Sequence, residues 1–383
     1  MRLNNLPLVA FLLFSTLIAV PTFAAGPPIK IGALFAVSGP PSFLGEPERN
    51  AAQMVADSIN NSKPGGIKGR QVQLIVYDTQ GDATKAVQLA NKLIKDDKVV
   101  AIIGPSTTGE TMAVLPVAEK AGIPLISCSA GRKITEPVNK WVFKTAQNDN
   151  LAVAKIYEYL QKKKLTKVAL LTVSDGFGSS GREQLKAQAA TYGIQVEFDE
   201  TYGPKDTDMT AQLTKIRGTQ AQAVICWGTN PGPAVIARNA RQLGLKLPLF
   251  MSHGVSSKKF IELAGDAAEG VILPSGKVIV ADVLPASDPQ KKPLTAFVKE
   301  YQKQYKVEGD HFAGHAWDAM MLLKDALERG DETPASIAAQ LEKIKNFHGI
   351  GGTFTYSPTD HAGLTKDAFV LVEIKNKDWV LVK

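Results

Sequence analysis

Val99–Ser129 reads VVAIIGPSTTGETMAVLPVAEKAGIPLISCS, and Ala223–Ser252 reads AVICWGTNPGPAVIARNARQLGLKLPLFMS. Each stretch runs from a short apolar segment through a turn of Gly, Pro and Thr into an amphipathic segment, then Gly, Pro-Leu and a second apolar segment ending at Ser. Short β-rich runs alternating with helix-period runs predict parallel strands with helices on both faces of the sheet. Ligands of open α/β sheets bind where strand carboxyl ends open into such turns, so two copies in two sheets would face each other across a cleft. The echo supports a division into two lobes; the competing account is that all α/β units look alike at this coarseness.

Outward from these stretches, strands are expected at Ile29–Phe35, Val72–Tyr77, Val99–Ile103, Val168–Val173, Ala223–Cys226 and Val271–Leu273. Helical spacing covers about 45–61, 83–96, 110–121, 149–163, 181–192, 208–217 and 233–243. The first residues, Met1-Arg2, the apolar run Leu6–Val20 and Pro21-Thr22-Phe23-Ala24-Ala25, have the layout of a secretory signal peptide (1–24) cleaved after Ala24. That run is 15 residues, short of the ~20 a spanning helix needs, so an exported protein free of the membrane is expected. The remaining 383 − 24 = 359 residues exceed one comfortable core, so the expected class is α/β, built as two doubly wound parallel-sheet lobes. A lipid anchor would need a cysteine directly after the leader, whereas the two cysteines are Cys128 and Cys226, expected as buried thiols in different lobes.

The formal charge is +7, or +7 − 1 = +6 without Arg2, on lysines interleaved with Asp and Glu along the chain. Such a balance favours solubility and argues against nucleic acid as a partner. The densest run, Lys162–Lys164, closes a helical pattern, where cations complement the helix dipole.

Several turns imitate known chemistry. Gly176–Gly181 (GFGSSG) is a formal dinucleotide fingerprint after the strand Val168–Val173, with Glu197 and Asp199 about 20 positions on. An exported chain meets no nicotinamide pool, and Ser174-Asp175 intervene, so a glycine-lined mouth presenting Phe177 as an apolar wall is the plainer reading. Gly104–Thr111 (GPSTTGET) imitates a phosphate loop but has Glu110 where the lysine belongs. What remains is a helix start with free N–H groups and the hydroxyls of Ser106, Thr107 and Thr108, suited to a singly charged carboxylate; simple capping by Thr108 accounts for the spacing equally well. Asp78 and Asp82 read as turn and cap residues. His311, His315 and Asp318 supply half a metal site, and their apolar neighbours read as a packed helix, so no metal is expected. There is no GxSxG, HExxH or CxxC, hence no catalytic residue and no cofactor is assigned.

Taken together, SGP (Ser38–Pro40), NSKPGGIKGRQVQLIVYDTQGDATKAV (Asn61–Val87), the GPSTTG turn, AGIPLIS (Ala121–Ser127) and GLKLPLFMSHGV (Gly244–Val255) resemble the leucine/isoleucine/valine-binding proteins. These are the type I periplasmic solute receptors of ABC importers, and the resemblance covers nearly the whole chain after the leader. It implies two lobes joined by crossovers near Lys144, Pro274 and Tyr356: lobe I from 25–143 plus 275–355, lobe II from 144–274 plus 356–383. It further implies a monomer that closes by a hinge around its ligand and is recognised closed by a membrane permease. Carried over residue by residue, the carboxylate hydroxyl falls on Thr108, the adjoining loop on Ser129, Ala130 and Gly131, the aromatic wall on Phe177 and the opposite turn on Thr229. Ser38 belongs to the matched SGP segment, and Leu44 stands where amino-acid receptors often carry an aromatic ring.

The departure is His253. There the amino-acid binders place a glutamate that pairs with the ligand's ammonium, and this chain reads Met251-Ser252-His253-Gly254. Burying an ammonium without an anionic partner costs several kcal/mol. Histidine can instead donate to a second anionic or phenolic oxygen, which points to an amine-free aromatic or aliphatic carboxylic acid. Leucine remains open if Asp175, Asp318 or Glu46 reaches the amine. The family-level expectation is a branched-chain or related amino acid. Two other classes stay open: the same fold as a sensor for a signalling receptor, and an exported dehydrogenase resting on GFGSSG.

Overall fold

The computed structural model describes residues 26–382, so the expected signal peptide lies outside the described residues. Among these residues a five-stranded parallel sheet has the order β2-β1-β3-β4-β5, from β1 (Ile29–Phe35), β2 (Val72–Asp78), β3 (Ala101–Ile103), β4 (Leu125–Ser127) and β5 (Val142–Lys144). A second sheet of seven strands has the order β14-β13-β10-β9-β8-β6-β7. It contains β6 (Lys167–Val173), β7 (Gln195–Tyr202), β8 (Ala223–Trp227), β9 (Leu249–Met251), β10 (Ile272–Gly276), β13 (Phe369–Lys375) and β14 (Asp378–Leu381). β13 and β14 run antiparallel at its edge, and a small hairpin of β11 (Phe347–His348) and β12 (Thr353–Phe354) stands apart.

Helices α1 (Ser42–Asn61), α2 (Ala83–Lys92) and α3 (Thr108–Ala121) connect the strands of the first sheet. Those following α4 (Asp149–Lys162), namely α5 (Gly176–Ala189), α6 (Thr210–Arg217), α7 (Gly232–Gln242) and α8 (Lys258–Ala264), belong with the second. α9 (Lys291–Tyr305), α10 (His311–Arg329) and α11 (Pro334–Leu341) follow β10, and α10 packs along α1. Helices on both faces explain why the central strands are continuously apolar: Leu34, Phe35, Ile102, Ile103, Leu170 and Ile225 are all fully buried.

The echo is visible as β3-α3-β4 and β8-α7-β9, each a parallel unit in its own sheet. Its glycines stop the helices: Gly122 (φ 64°) caps α3 and Gly244 (φ 62°) follows α7, both in the left-handed region that glycine enters without a Cβ clash. The chain passes between sheets after β5, after β10 and before β13. β10 stays paired with β13 through Gly276, slightly beyond the crossover expected at Pro274. Beyond Tyr356 the chain still packs on the first sheet: the Tyr356 hydroxyl donates to the Lys144 carbonyl (2.7 Å) and His361 stacks on Phe143 (4.0 Å). Cys128 and Cys226 are both buried and unpaired, Cys226 in β8 and Cys128 just past β4.

Three local expectations change. GFGSSG is not a loop: Gly176–Gly181 is the opening of α5, begun by Asp175, whose carboxylate accepts from the Gly178 N–H (2.8 Å). Its glycines serve close packing, since a Cβ on Gly178 would sit 1.8 Å from the Val173 carbonyl and one on Gly181 2.1 Å from the Trp227 Nε1. The cap of α3 is Thr107, in a reciprocal capping box with Glu110, and not Thr108. The helix expected over 83–96 ends as a π-turn at Leu93–Asp97.

Candidate functional site

A cavity of about 330 Å³ lies between the two sheets, within the range of small-molecule sites. Its first wall is built where β3 and β4 end, its second where β6, β8 and β9 end, and α10 contributes His311, Phe312 and His315. The starts of α3 and α5 approach from opposite sides: a Cβ on Gly176 would stand 3.0 Å from the Gly109 nitrogen. Two helix N-termini, each with positive dipole character, therefore adjoin one cavity, an arrangement that favours an anion.

Of the residues singled out above, Leu44, Ser106, Thr107, Thr108, Ser129, Ala130, Phe177, Thr229 and His253 line this cavity. Ser38 and Gly131 do not. Ser38 is exposed and is clamped to Asp78 through its N–H (3.1 Å) and hydroxyl, fixing the turn that carries Pro40 and Pro41 into the wall. Gly131 sits behind Thr108, donating its N–H to the Thr108 hydroxyl (3.3 Å), and a Cβ there would collide with the Thr108 methyl at 2.4 Å. Its role is to make room for Thr108.

The first wall is already bonded to itself. The Ser106 hydroxyl accepts from the Ala36 N–H (3.0 Å) and donates to the buried Glu48. Thr107 is occupied with Glu110 (2.6 Å). Ser129 shares its hydroxyl with Thr111 (2.6 Å) and Ser127 (2.9 Å). Thr108 accepts from Gly131, which leaves its proton free to donate into the cavity. The aromatic ring expected near Leu44 comes from elsewhere: Phe312 lines the cavity, with Phe43 edge-on behind it (5.8 Å).

The second wall contrasts with this. Phe177 lies 5.4 Å from the His253 ring and 5.9 Å from Trp227. His253 is buried, and neither ring nitrogen has a hydrogen-bond partner in the protein; Asn230 is bare at both amide atoms, and Trp227 at Nε1. Burial pushes the His253 pKa well below 6.5, helped by His311 and Lys144, so the ring is neutral. Asp175 lines the same wall, and burial raises its pKa against the pull of the Gly178 and Phe177 N–H groups.

Sequence reading missed the layer beneath. Asp149, the first residue of α4, is fully buried, and its Oδ1 stands 3.7 Å from His253 Nε2. Lys144, also fully buried at the end of β5, donates to the Ala130 carbonyl (2.6 Å), the Gly131 carbonyl (3.3 Å) and Asn148 Oδ1 (2.7 Å). A lysine and an aspartate flanking a strand end leave no periodic signal; only the tertiary fold brings them under His253.

Other candidates disperse. Asp318 accepts from the Ile350 (2.7 Å) and Gly351 (2.6 Å) N–H groups, so it is a loop anchor. Glu46 lies in a separate groove beside α8 and α9. Glu197 faces Lys167 (3.5 Å) and Asp199 is held by Arg182 (2.6 Å), which removes the ribose-binding acid a dinucleotide site would need. Among the described residues no group of three or more His, Cys, Asp or Glu side chains is placed to hold a metal ion.

Two lobes, a cavity at strand ends on both and buried polar side chains in its wall without partners in the protein define a ligand receptor of the two-lobed binding-protein class. Residues 28–378 match the sequence model of the family described as periplasmic binding protein. The chain belongs to that family, as a type I member of its Leu/Ile/Val-binding branch. It is 26% identical over 359 residues to the Leu/Ile/Val-binding protein homolog 3 of Brucella melitensis, covering 93% of this chain and 94% of that protein. Its fold matches an extracellular ligand-binding receptor from Rhodopseudomonas palustris HaA2 with a TM-score of 0.86 at 29% identity, over 93% of this chain and 99% of that one. It also matches the branched-chain amino acid transporter substrate binding protein LivJ from Streptococcus pneumoniae, solved with isoleucine, with a TM-score of 0.80 at 26% identity, over 93% and 100% of the two chains.

Proposed function

We propose that this protein is the exported, non-enzymatic substrate-binding component of an ABC importer, a periplasmic monomer that closes over a small carboxylate and presents it to a membrane permease. The observation that carries the reading is the contrast between the walls: a self-bonded helix-start wall offering Thr108 on one lobe, and buried, unpartnered polar atoms at Asn230 and His253 on the other. A buried polar group without a partner costs about 1–3 kcal/mol, which a ligand spanning the cavity recovers. Neither lobe alone surrounds the ligand, so binding favours the closed arrangement over an open one. The lobes hinge at the three crossovers.

The relatives' names point to a branched-chain or related amino acid. For that ligand the ammonium would meet Asp175, the carboxylate in the second wall. A second reading, an amine-free aromatic or aliphatic acid, is favoured by His253, a neutral ring framed by Phe177, Trp227 and Phe369 at 5.2–5.6 Å where the family has a glutamate. A thermal-shift screen of amino acids against amine-free acids, with His253→Glu in parallel, tests both. Stabilisation by amino acids that grows in the glutamate variant supports the first reading, and stabilisation by amine-free acids that disappears in it supports the second. No shift with any acid overturns the function.

A further inference from the structure

The layer beneath His253 has a chemical polarity that reaches the ligand. Lys144 directs its amine at three oxygens, those of Ala130, Gly131 and Asn148. A neutral amine has two N–H bonds and an ammonium three, so this geometry matches the charged form. Its counter-charge is Asp149, whose carboxylate also occupies the first turn of α4, where the helix dipole favours an anion. Burial pushes the Asp149 pKa up and the Lys144 pKa down, and each group's charge opposes the shift of the other, as the Ser180 hydroxyl does for Asp149. A carboxylate only accepts hydrogen bonds, and besides the Ser180 hydroxyl it has His253 Nε2 near it, 3.7 Å from Oδ1, a charge contact longer than a hydrogen bond.

We propose that Asp149 is the positioning residue for His253, holding the imidazole proton on Nε2 and leaving Nδ1 as a bare acceptor, so that the cavity selects ligands carrying a hydrogen-bond donor in addition to the carboxylate. In a neutral imidazole one nitrogen donates and the other accepts, and the partner of one decides the role of the other. Neither ring nitrogen is hydrogen-bonded within the protein, but Nε2 has the Asp149 carboxylate 3.7 Å away, and the ring belongs to the cavity wall. The donor is an ammonium or a hydroxyl: an α-amino acid, a hydroxy acid or a phenolic acid satisfies Nδ1, whereas a plain carboxylic acid leaves it empty. Histidine thereby takes over the acceptor role that glutamate fills in the amino-acid binders, with the negative charge set one residue behind it. The inference rests on reading the cavity as a carboxylate site.

The test pairs a spectrum with matched ligands. Long-range proton–nitrogen correlation on protein labelled at its histidines reads the tautomer of each ring, with His253→Gln assigning the signal. The expected wild-type signal is Nε2–H. In Asp149→Asn the amide turns its NH₂ away from the Lys144 ammonium and toward Nε2, which moves the proton to Nδ1. Calorimetric titration compares leucine and 2-hydroxy-4-methylpentanoate with 4-methylpentanoate, and 4-hydroxybenzoate with benzoate. The first set separates ammonium from hydroxyl and each from no donor, and the second separates a phenolic hydroxyl from no donor. At least one donor-bearing acid should bind about tenfold tighter than its donor-free counterpart, and Asp149→Asn should abolish that preference. An Nδ1–H signal in the wild type, or donor-free acids binding as tightly, overturns the proposal. If none of the five acids binds, the carboxylate reading fails, and the wild-type spectrum still decides the Asp149 assignment whether or not the variant folds.

Discussion

The turn that opens α3 and the turn that opens α7 occupy corresponding places in the units β3-α3-β4 and β8-α7-β9, yet they are finished differently. At the first, Ser106, Thr107 and Ser129 are each bonded to neighbours and only Thr108 keeps a free proton. At the second, Asn230 and the adjacent His253 and Trp227 have none of their polar side-chain atoms satisfied. One wall is built by folding, and the other, on the proposed function, is completed by the guest. Stability and affinity should therefore separate between the walls, since groups left bare for a ligand cost stability in its absence.

The largest effect is expected where the second wall rests on close packing. In Gly181→Ala the new methyl would stand 2.1 Å from Trp227 Nε1 in a buried site, with no room for the ring to move aside. We expect a loss of about 2–3 kcal/mol in urea unfolding, outweighing the gain of about 1 kcal/mol in helix propensity, together with loss of binding. Unchanged stability would show that the wall is loosely packed.

The next effect is acid sensitivity. His253, His311 and His315 are buried and neutral, their pKa values pushed below 6.5, to about 3 for His311. The unfolded chain takes up protons that the folded one refuses. Their contribution is complete above pH 6.5 and is lost as the pH falls from there toward the folded values, by about 1.4 kcal/mol per pH unit for each ring. The buried Asp310 and Asp318, whose pKa values burial raises to about 7 and about 8, act in the opposite direction, so the histidine share is read as the difference in slope between wild type and variant in denaturant unfolding at pH 7, 6 and 5. His311→Asn, which keeps an acceptor for the Gly276 N–H, should shed one ring's share of it. An equal slope in the variant would contradict the burial of His311.

The sharpest contrast between the walls comes from Thr107→Ala and Asn230→Ala. The first removes a helix cap and should cost about 1 kcal/mol of stability with affinity nearly intact. The second should leave stability equal or higher and weaken ligand binding about tenfold. The reverse pattern would erase the distinction. The smallest effect belongs to the rim, where Lys133 of the first lobe meets Glu183 of α5 at 2.6 Å while both stay half exposed. Lys133→Ala should change affinity by less than about fivefold, because exposed ion pairs are worth at most about 1 kcal/mol.

How far the sequence reaches follows the same division. Strand–helix–strand units, the helix stops at Gly122 and Gly244 and the placement of Thr108 and Phe177 near strand ends were legible from local period and turn chemistry, whereas Thr229 and His253 were located through the family resemblance. The start of α5 was not, because Gly178 and Gly181 are demanded by Val173 and Trp227, contacts no local rule contains. Thr107 and Thr108 are adjacent candidates for one cap, and only the geometry of Glu110 separates them. The bonds from Ser106 to Glu48 and the approach of Asp149 to His253 join residues far apart in the chain, so they arise only when the sheets and α1 or α4 assemble.

On the proposed function, uncharged donors at the start of α3 hold an acid group while the opposite lobe completes its surroundings. Calorimetric titration of leucine and of 4-hydroxybenzoate, each beside its methyl ester, tests this most directly. At least one free acid should bind saturably at one site per protein, with its ester about a hundredfold weaker, the worth of two charge-assisted hydrogen bonds. An ester that binds as well as its acid would contradict the account.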